Sequence, residues 1–266
     1  MKHRVTIIVM AALVALALVS CDFMYEPNVF QTELGVDATE LRKASVADLN
    51  EMADSPSFFT ALAEDEEAKT AVLDNLDEVI ADPASTPEEV AEASLLAAEV
   101  EIYSSPAGDL VSNVGELLIS AVSGGEGGEP VDMEDPEALI NALLPESVVD
   151  EETGEIVEDS FVAMINALND SYAYYVEFSE AMDPADYTSS ELGDAAMTAM
   201  MASIIASIDP VAGYDSPGDL IYAALTGEYA GEITMSGELG TDTNLQALFD
   251  AAGLADLFSA EEPVTP

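Results

Sequence analysis

Histidine, cysteine, tryptophan and basic residues are almost missing from this chain. Of 266 residues one is His, one is Cys and none is Trp, while five Lys or Arg face 54 Asp or Glu, for a formal net charge of −49 at pH 7. Each shortage removes a class of chemistry. Nucleic-acid binding relies on cations that displace phosphate counterions, and a surface this acidic repels phosphates, so no nucleic-acid partner is expected. A Ser or Cys nucleophile needs a base, normally His or Lys, and phosphoryl transfer needs cationic clamps. From Thr70 to Pro266 the chain has no Lys, Arg or His, which leaves carboxylates, hydroxyls and phenols. Zinc sites want His and Cys. No catalytic residue, no metal ligand and no cofactor is therefore assigned. A lone Cys cannot close an internal disulfide, so stability has to come from the core.

What is present starts at the N-terminus. Lys2, His3 and Arg4 precede an apolar stretch from Val5 to Val19, which runs into Leu18-Val19-Ser20-Cys21. A charged start, a short apolar core and a small residue before the cut is the layout of a secretory signal. The run is shorter than the ~20 residues a spanning helix needs. Leu-Val-Ser-Cys resembles the lipobox of bacterial lipoproteins. The resemblance implies that residues 1–20 are a signal peptide and that the Cys21 sulfur receives a diacylglycerol, with palmitate-type chains, before becoming the first mature residue. It also implies a cell-envelope location, lipid-anchored and extracytoplasmic, facing the periplasm or the cell surface. Membrane lipid through Cys21 is thus the first expected partner. Each buried methylene adds about 0.8 kcal/mol, so two or three acyl chains hold such a protein firmly.

Cleavage there would leave Arg42, Lys43 and Lys69 as the basic residues of the mature chain. An apolar fraction of 49% separates it from disordered acidic chains, which are poor in apolar residues. A Lys-poor, acid-rich surface resembles that of proteins adapted to high salt, where screening shortens the reach of repulsion. A halophilic or marine source is expected.

The apolar spacing predicts an all-α body. Residues 21–37 read as lipidated Cys and tether, 38–258 as the acidic helical domain, and 259–266 as an acidic tail. Within the domain, Thr39–Met52 has helical spacing. Ser55-Pro56 starts a helix that carries Phe58, Phe59, Leu62, Val72, Leu73, Leu76, Val79 and Ile80 until Asp82-Pro83. Thr86 to Glu89 is a capping box opening a helix to about Tyr103. Ser105-Pro106 opens another, carrying Leu110, Val114, Leu117 and Leu118 to Gly124-Gly125. After a flexible joint, a short helix from Asp135-Pro136 carries Leu139, Ile140, Leu143 and Leu144. Val148-Val149 and Ile156-Val157 flank Thr153-Gly154, which reads as a small β-hairpin or an exposed loop. A long helix follows with Phe161, Ile165, Leu168, Tyr172, Tyr175 and Ser179 on its core side. Thr188 to Glu191 is a second capping box, opening the apolar stretch Ala195 to Ile208. Ser216-Pro217 starts the next helix, 226–241 reads as loop or weak hairpin, and Leu245, Leu248 and Phe249 mark a last short helix.

These signals recur in order. Asp82-Pro83, Thr86, Glu89-Val90, Ala93 and Ser105-Pro106 match Asp183-Pro184, Thr188, Glu191-Leu192, Ala195 and Ser216-Pro217. The order predicts two related three-helix units, about 55–122 and 160–225, joined by the Gly-rich and acidic segment 124–159 into an α-solenoid-like stack or a helical bundle. Ala93-Ser94-Leu95-Leu96-Ala97 with Pro106 beyond is similar to the second helix of a tetratricopeptide repeat. The Trp, Leu-Gly and Tyr positions of that repeat's first helix are not recognisable, so the resemblance is one of helical-repeat style.

Three sets of side chains are candidates for binding. Tyr172, Tyr174, Tyr175 and Phe178 place rings on more than one side of a helix, as a groove for an apolar or sugar ligand or as core packing would both require. The acidic runs Glu64–Glu67, Asp132–Asp135 and Asp150–Asp159 lack EF-hand spacing and read as solvated faces. Met197, Met200 and Met201 read as gap-filling core. The leading expectation is a membrane-anchored, non-catalytic helical scaffold or transport accessory with an envelope protein partner. The alternatives are a small-ligand binder with an aromatic-lined cavity and a carboxylate-dependent hydrolase, for which two acids about 5–10 Å apart would suffice.

Overall fold

The computed structural model describes residues 37–123, 142–150, 153–236 and 243–254. Cys21, the signal segment, the Asp132–Asp135 run, the start of the helix read at Asp135-Pro136 and the tail 259–266 lie outside them. Among the described residues the chain forms ten α-helices, two 3-10 turns and no β-sheet. In chain order the helices are α1 (Ala38–Leu41), α2 (Val46–Ala53), α3 (Pro56–Glu64), α4 (Glu66–Ala81), α5 (Pro87–Tyr103), α6 (Ala107–Ser123), α7 (Glu158–Ala181), α8 (Ser189–Ala206), α9 (Pro217–Thr226) and α10 (Gln246–Ala251).

Two helices read as continuous are each broken in two. The first ends at Leu41, and Ser45 starts α2 with a capping box shared with Asp48. The Asn75 amide of α4 donates to the Leu41 and Ala44 carbonyls, both at 2.8 Å. A partner 31 to 34 residues away thus satisfies the acceptors freed by the break. The second break is at Asp65, whose carboxylate accepts from the Glu67 and Ala68 amides at 3.1 Å and so caps α4. On one unbroken helix Leu62 and Val72 would sit about 80° apart. Leu62 before the break and Val72 after it are both fully buried.

The β-hairpin reading is corrected. Val149 and Ile156 form a single antiparallel bridge, with Asp150 N–H donating to the Glu155 carbonyl at 2.9 Å. One bridge leaves nothing to pair with its outer edges. In the segment after α9, Met235 bridges Ile208, at the exit of α8.

The core has two parts that meet on α5. Leu41, Leu49, Phe58, Leu62, Val72 and Leu76 of α1–α4 pack against Ala93, Leu96, Ala97 and Val100. Ala91, Ala98 and Ile102 face the larger cluster built from α6–α10, with Phe161, Met164, Leu168, Phe178, Met201 and Leu248. A helix covered on both sides needs apolar residues on two faces, and the four alanines let its neighbours come close. The contact of α5 with α7 is the most extensive between helices, and α4 against α5 and α7 against α8 are its flanking pairs. Gly218, at the start of α9, marks another close approach: a Cβ there would lie 2.8 Å from the Val162 carbonyl of α7.

The two repeated turns adopt the same local geometry. Asp82 and Asp183 accept from the amides of Ala84 and Ala185 at 2.8 and 3.0 Å. Thr86 (φ −75°, ψ 157°) and Thr188 (φ −75°, ψ 158°) both make complete capping boxes.

Candidate functional site

An open groove of about 420 Å³ lies where the end of α3, the start of α4, the end of α5 and the first half of α7 come together. Leu62, Ser104 and Ala167 are buried at its floor, with Ala163 and Pro106 beside them. Glu66, Asp159 and Asp170 are exposed along its rim. In its wall Lys69 pairs with Glu101 at 2.7 Å, each side chain only about one-sixth accessible (16% and 14%). Four carboxylates therefore share the groove with one ammonium.

The sequence supplies these positions by simple rules. Glu66 is in the first turn of α4 and Asp159 in the first turn of α7, where carboxylates complement the helix dipole. The Ser104 and Ser105 hydroxyls, at the end of α5, donate back to the carbonyls of Val100 and Ile102. Those serines close off the helix and give the groove a hydroxylated end.

A second polar cluster lies between α5, α7 and α8. Burial, with Glu191 and Asp54 nearby, pushes the Glu99 carboxyl up to about 7. Burial and Glu191 push Asp194 up to about 6. Between them the buried Tyr175 phenol is held well above its ordinary range by burial, and it hydrogen-bonds Thr198. Among the described residues no group of three or more His, Cys, Asp or Glu is placed to hold a metal ion.

The four aromatic candidates are dispersed, and none lines the groove. Tyr175 and Phe178 are 2% and 0% exposed. Phe178 meets Tyr187 edge-on at 5.2 Å. Tyr174 donates to Asp77 of α4 at 3.0 Å, which ties α7 to α4, and burial together with that carboxylate raises its pKa. The Tyr172 oxygen accepts from Asn244 at 3.4 Å. Met197, Met200 and Met201 are buried in the larger core, at 8%, 7% and 2% exposure. What sequence reasoning missed is the groove itself. Lys69, as the last basic residue before a cation-free stretch, was the available signal. Nothing in the sequence pairs it with Glu101.

Comparison with known proteins gives no match, whether to a protein-family model, a curated protein or a solved structure.

Proposed function

We propose that this is a lipid-tethered, extracytoplasmic helical protein that acts by contact, as a scaffold or transport accessory, with the groove between α3–α5 and α7 as its contact surface. The observation that carries the reading is the composition of that groove. One wall comes from the segment 55–122 and the other, Asp159 aside, from 160–225, the two segments in which the same helix signals recur in order. Their matching turns support related helical units, and stacked helical units create extended binding surfaces. The pairs α4–α5 and α7–α8 are the equivalent parts, joined by α5 against α7. The lipobox-like Leu18-Val19-Ser20-Cys21 supports the tether. A surface of one sign favours basic or neutral partners and turns away acidic ones.

Two measurements test this. Metabolic labelling with palmitate in an exporting bacterial host should mark the wild type and not Cys21→Ala; equal labelling of both would remove the tether. Pull-downs from solubilised host membranes should recover a partner with the wild type and lose it with Ala163→Arg, which places a long side chain in the groove. Recovery of no partner, together with a hydrolysis that disappears on changing one Asp or Glu, would replace this reading with an enzyme.

A further inference from the structure

We propose that the polar start of α8, with the 3-10 turn Pro184–Asp186 before it, is a proton-controlled flap, docked against α5 while Glu99 carries a proton and released when that proton leaves. None of the residues involved lines the groove of α3–α5 and α7, so the flap is a separate device from the contact surface.

The flap is the least embedded part of its helix. From Asp183 to Asp194 only Leu192 is buried, whereas every residue from Ala195 to Ala202 is. Gly193 lies at the change. A Cβ there would meet nothing within 4 Å, so no neighbour packs on that turn, and glycine weakens a helix interior. The apolar fastenings of the segment are Tyr187 on Phe178 and Leu192 in the core. A stretch with so few buried contacts opens ahead of the rest of a fold, and a single detached turn frays.

What meets the flap from α5 is a carboxyl with nothing to neutralise it. Glu99 is half-buried, with Glu191 of α8, Asp54 at the end of α2 and the Tyr175 phenol of α7 nearby. Glu88 and Glu92 of α5 lie near Tyr187, as do Asp186 and Glu191. The Thr188 amide, donating at 2.6 Å, fixes the Glu191 carboxylate in place. The Thr198 hydroxyl donates to the Asp194 carbonyl at 3.0 Å, so the Tyr175 phenol gives its proton to Thr198 and keeps none for Glu99. No donor among the described residues is hydrogen-bonded to the Glu99 carboxyl. Lys69 is bound to Glu101, and from Thr70 onwards the chain has no cation. An ionised Glu99 therefore meets only like charge, while a protonated one is not repelled.

The sign of the response follows. Burial, then Glu191 and Asp54, raise Glu99 from 4.5 to about 7, and burial with Glu191 raises Asp194 from 3.8 to about 6. In the released flap both return toward their ordinary values. Docking is thus at full strength below pH 3.8 and fades as pH rises through 6 and 7.

Native-state hydrogen exchange of the full-length protein in detergent, at pH 4 and pH 8 and in zero and about 1 M urea, tests the flap. The protection factors to read are those of the Leu192–Asp194 amides and of the middle of α4. In the wild type, protection of Leu192–Asp194 should fall by more than about tenfold from pH 4 to pH 8. At pH 8 it should not respond to urea, the mark of a local opening, while the α4 amides do respond. Glu99→Gln, which cannot ionise, should raise the protection of Leu192–Asp194 about tenfold at pH 8 and change it less than about twofold at pH 4. Glu177→Gln, at an exposed position of α7, should change neither. Equal protection of wild type and Glu99→Gln at pH 8 would overturn the proposal. So would a wild-type Leu192–Asp194 segment that loses protection with urea in step with α4, since the carboxyls would then act only on the unfolding of the whole molecule. If Glu99→Gln loses its helical circular dichroism, the wild-type pH and urea series decides alone, because it carries both outcomes by itself.

Discussion

The turns before α5 and α8 share nearly every signal and differ by one residue. From Asp82 to Thr86 the chain takes Pro83, Ala84 and Ser85; from Asp183 to Thr188 it takes Pro184, Ala185, Asp186 and Tyr187. The aspartate bond, the threonine dihedrals and the capping box are the same in both. The extra length is absorbed by a 3-10 turn, Pro184–Asp186, and it delivers Tyr187 onto Phe178. At the first turn the corresponding space is closed by the Ser85 hydroxyl, which donates to the Val79 carbonyl at 2.7 Å. Local signals fix local geometry in both places, and the surrounding core decides what anchors each turn. One is fastened by an aromatic pair and the other by a hydrogen bond.

That contrast sets the largest expected effect. Phe178 is fully buried and Ser85 only partly. Phe178→Ala removes a large core ring and leaves a cavity, at a cost of roughly 3–5 kcal/mol. Ser85→Ala removes one hydrogen bond, at about 1 kcal/mol. Urea unfolding of both variants measures the difference. Equal costs would mean that the aromatic pair anchors its turn no better than the hydroxyl does.

The helices that follow can be compared position by position, counting from the threonine caps. Glu92 of α5 then corresponds to Asp194 of α8, and Glu99 to Met201. Met201 is buried; Glu99 is half-buried, with Glu191, Asp54 and Tyr175 nearby. Its folded-state pKa lies above the ordinary carboxylate value of 4.5, at about 7. Below pH 4.5 it is protonated whether folded or unfolded and costs nothing. As pH rises from 4.5 through 7 the unfolded chain releases the proton first, so stability falls across that window. Asp194, raised from 3.8 to about 6, adds the same sign of loss from 3.8 to 6. Glu99→Gln should therefore remove roughly 2–3 kcal/mol of the stability difference between pH 5 and pH 8. Denaturant midpoints at the two pH values would show it, and an unchanged difference would sink the assignment.

Much of the fold was legible because its signals are local. The Ser-Pro starts, the two Thr-Glu capping boxes and the 3.6-residue spacing of the long helix each depend on neighbours within a few residues. The breaks at Arg42–Ala44 and Asp65 were not legible, since Asn75 stabilises the first from another helix and the second interrupts apolar spacing that fits a continuous helix. Hairpin and exposed loop stay alternatives in sequence around Val149, because β-branched residues on either side of Thr-Gly look alike whether or not strands extend from them. The groove escaped for a similar reason. Its chemistry depends on Lys69 meeting Glu101 and on α7 packing across both, and neither contact has a sequence period. The tyrosines, which fit a groove or core packing in sequence, are distributed by the helix onto the α4 contact, the α8 contact and the outer edge of the core.

The smallest expected effect has the opposite sign. Ser94 of α5 corresponds to Ala196 of α8 by the same count from the caps, and both are fully buried. The Ala196 position is satisfied by a methyl group. The Ser94 hydroxyl has no hydrogen-bond partner, although helix interiors commonly let a serine donate back to a carbonyl one turn earlier. A buried hydroxyl without a partner keeps the penalty of leaving water and gains nothing in return. Ser94→Ala removes that penalty without opening a cavity larger than one oxygen, so the variant should be more stable than the wild type by roughly 1 kcal/mol. The reverse exchange, Ala196→Ser, should cost a similar amount, which makes the pair a swap between positions at the same distance from the two threonine caps. Thermal melts of the two single variants decide it. A destabilised Ser94→Ala would show that the hydroxyl contributes to the α5 contact, and the equivalence of α5 and α8 would then stop at their caps.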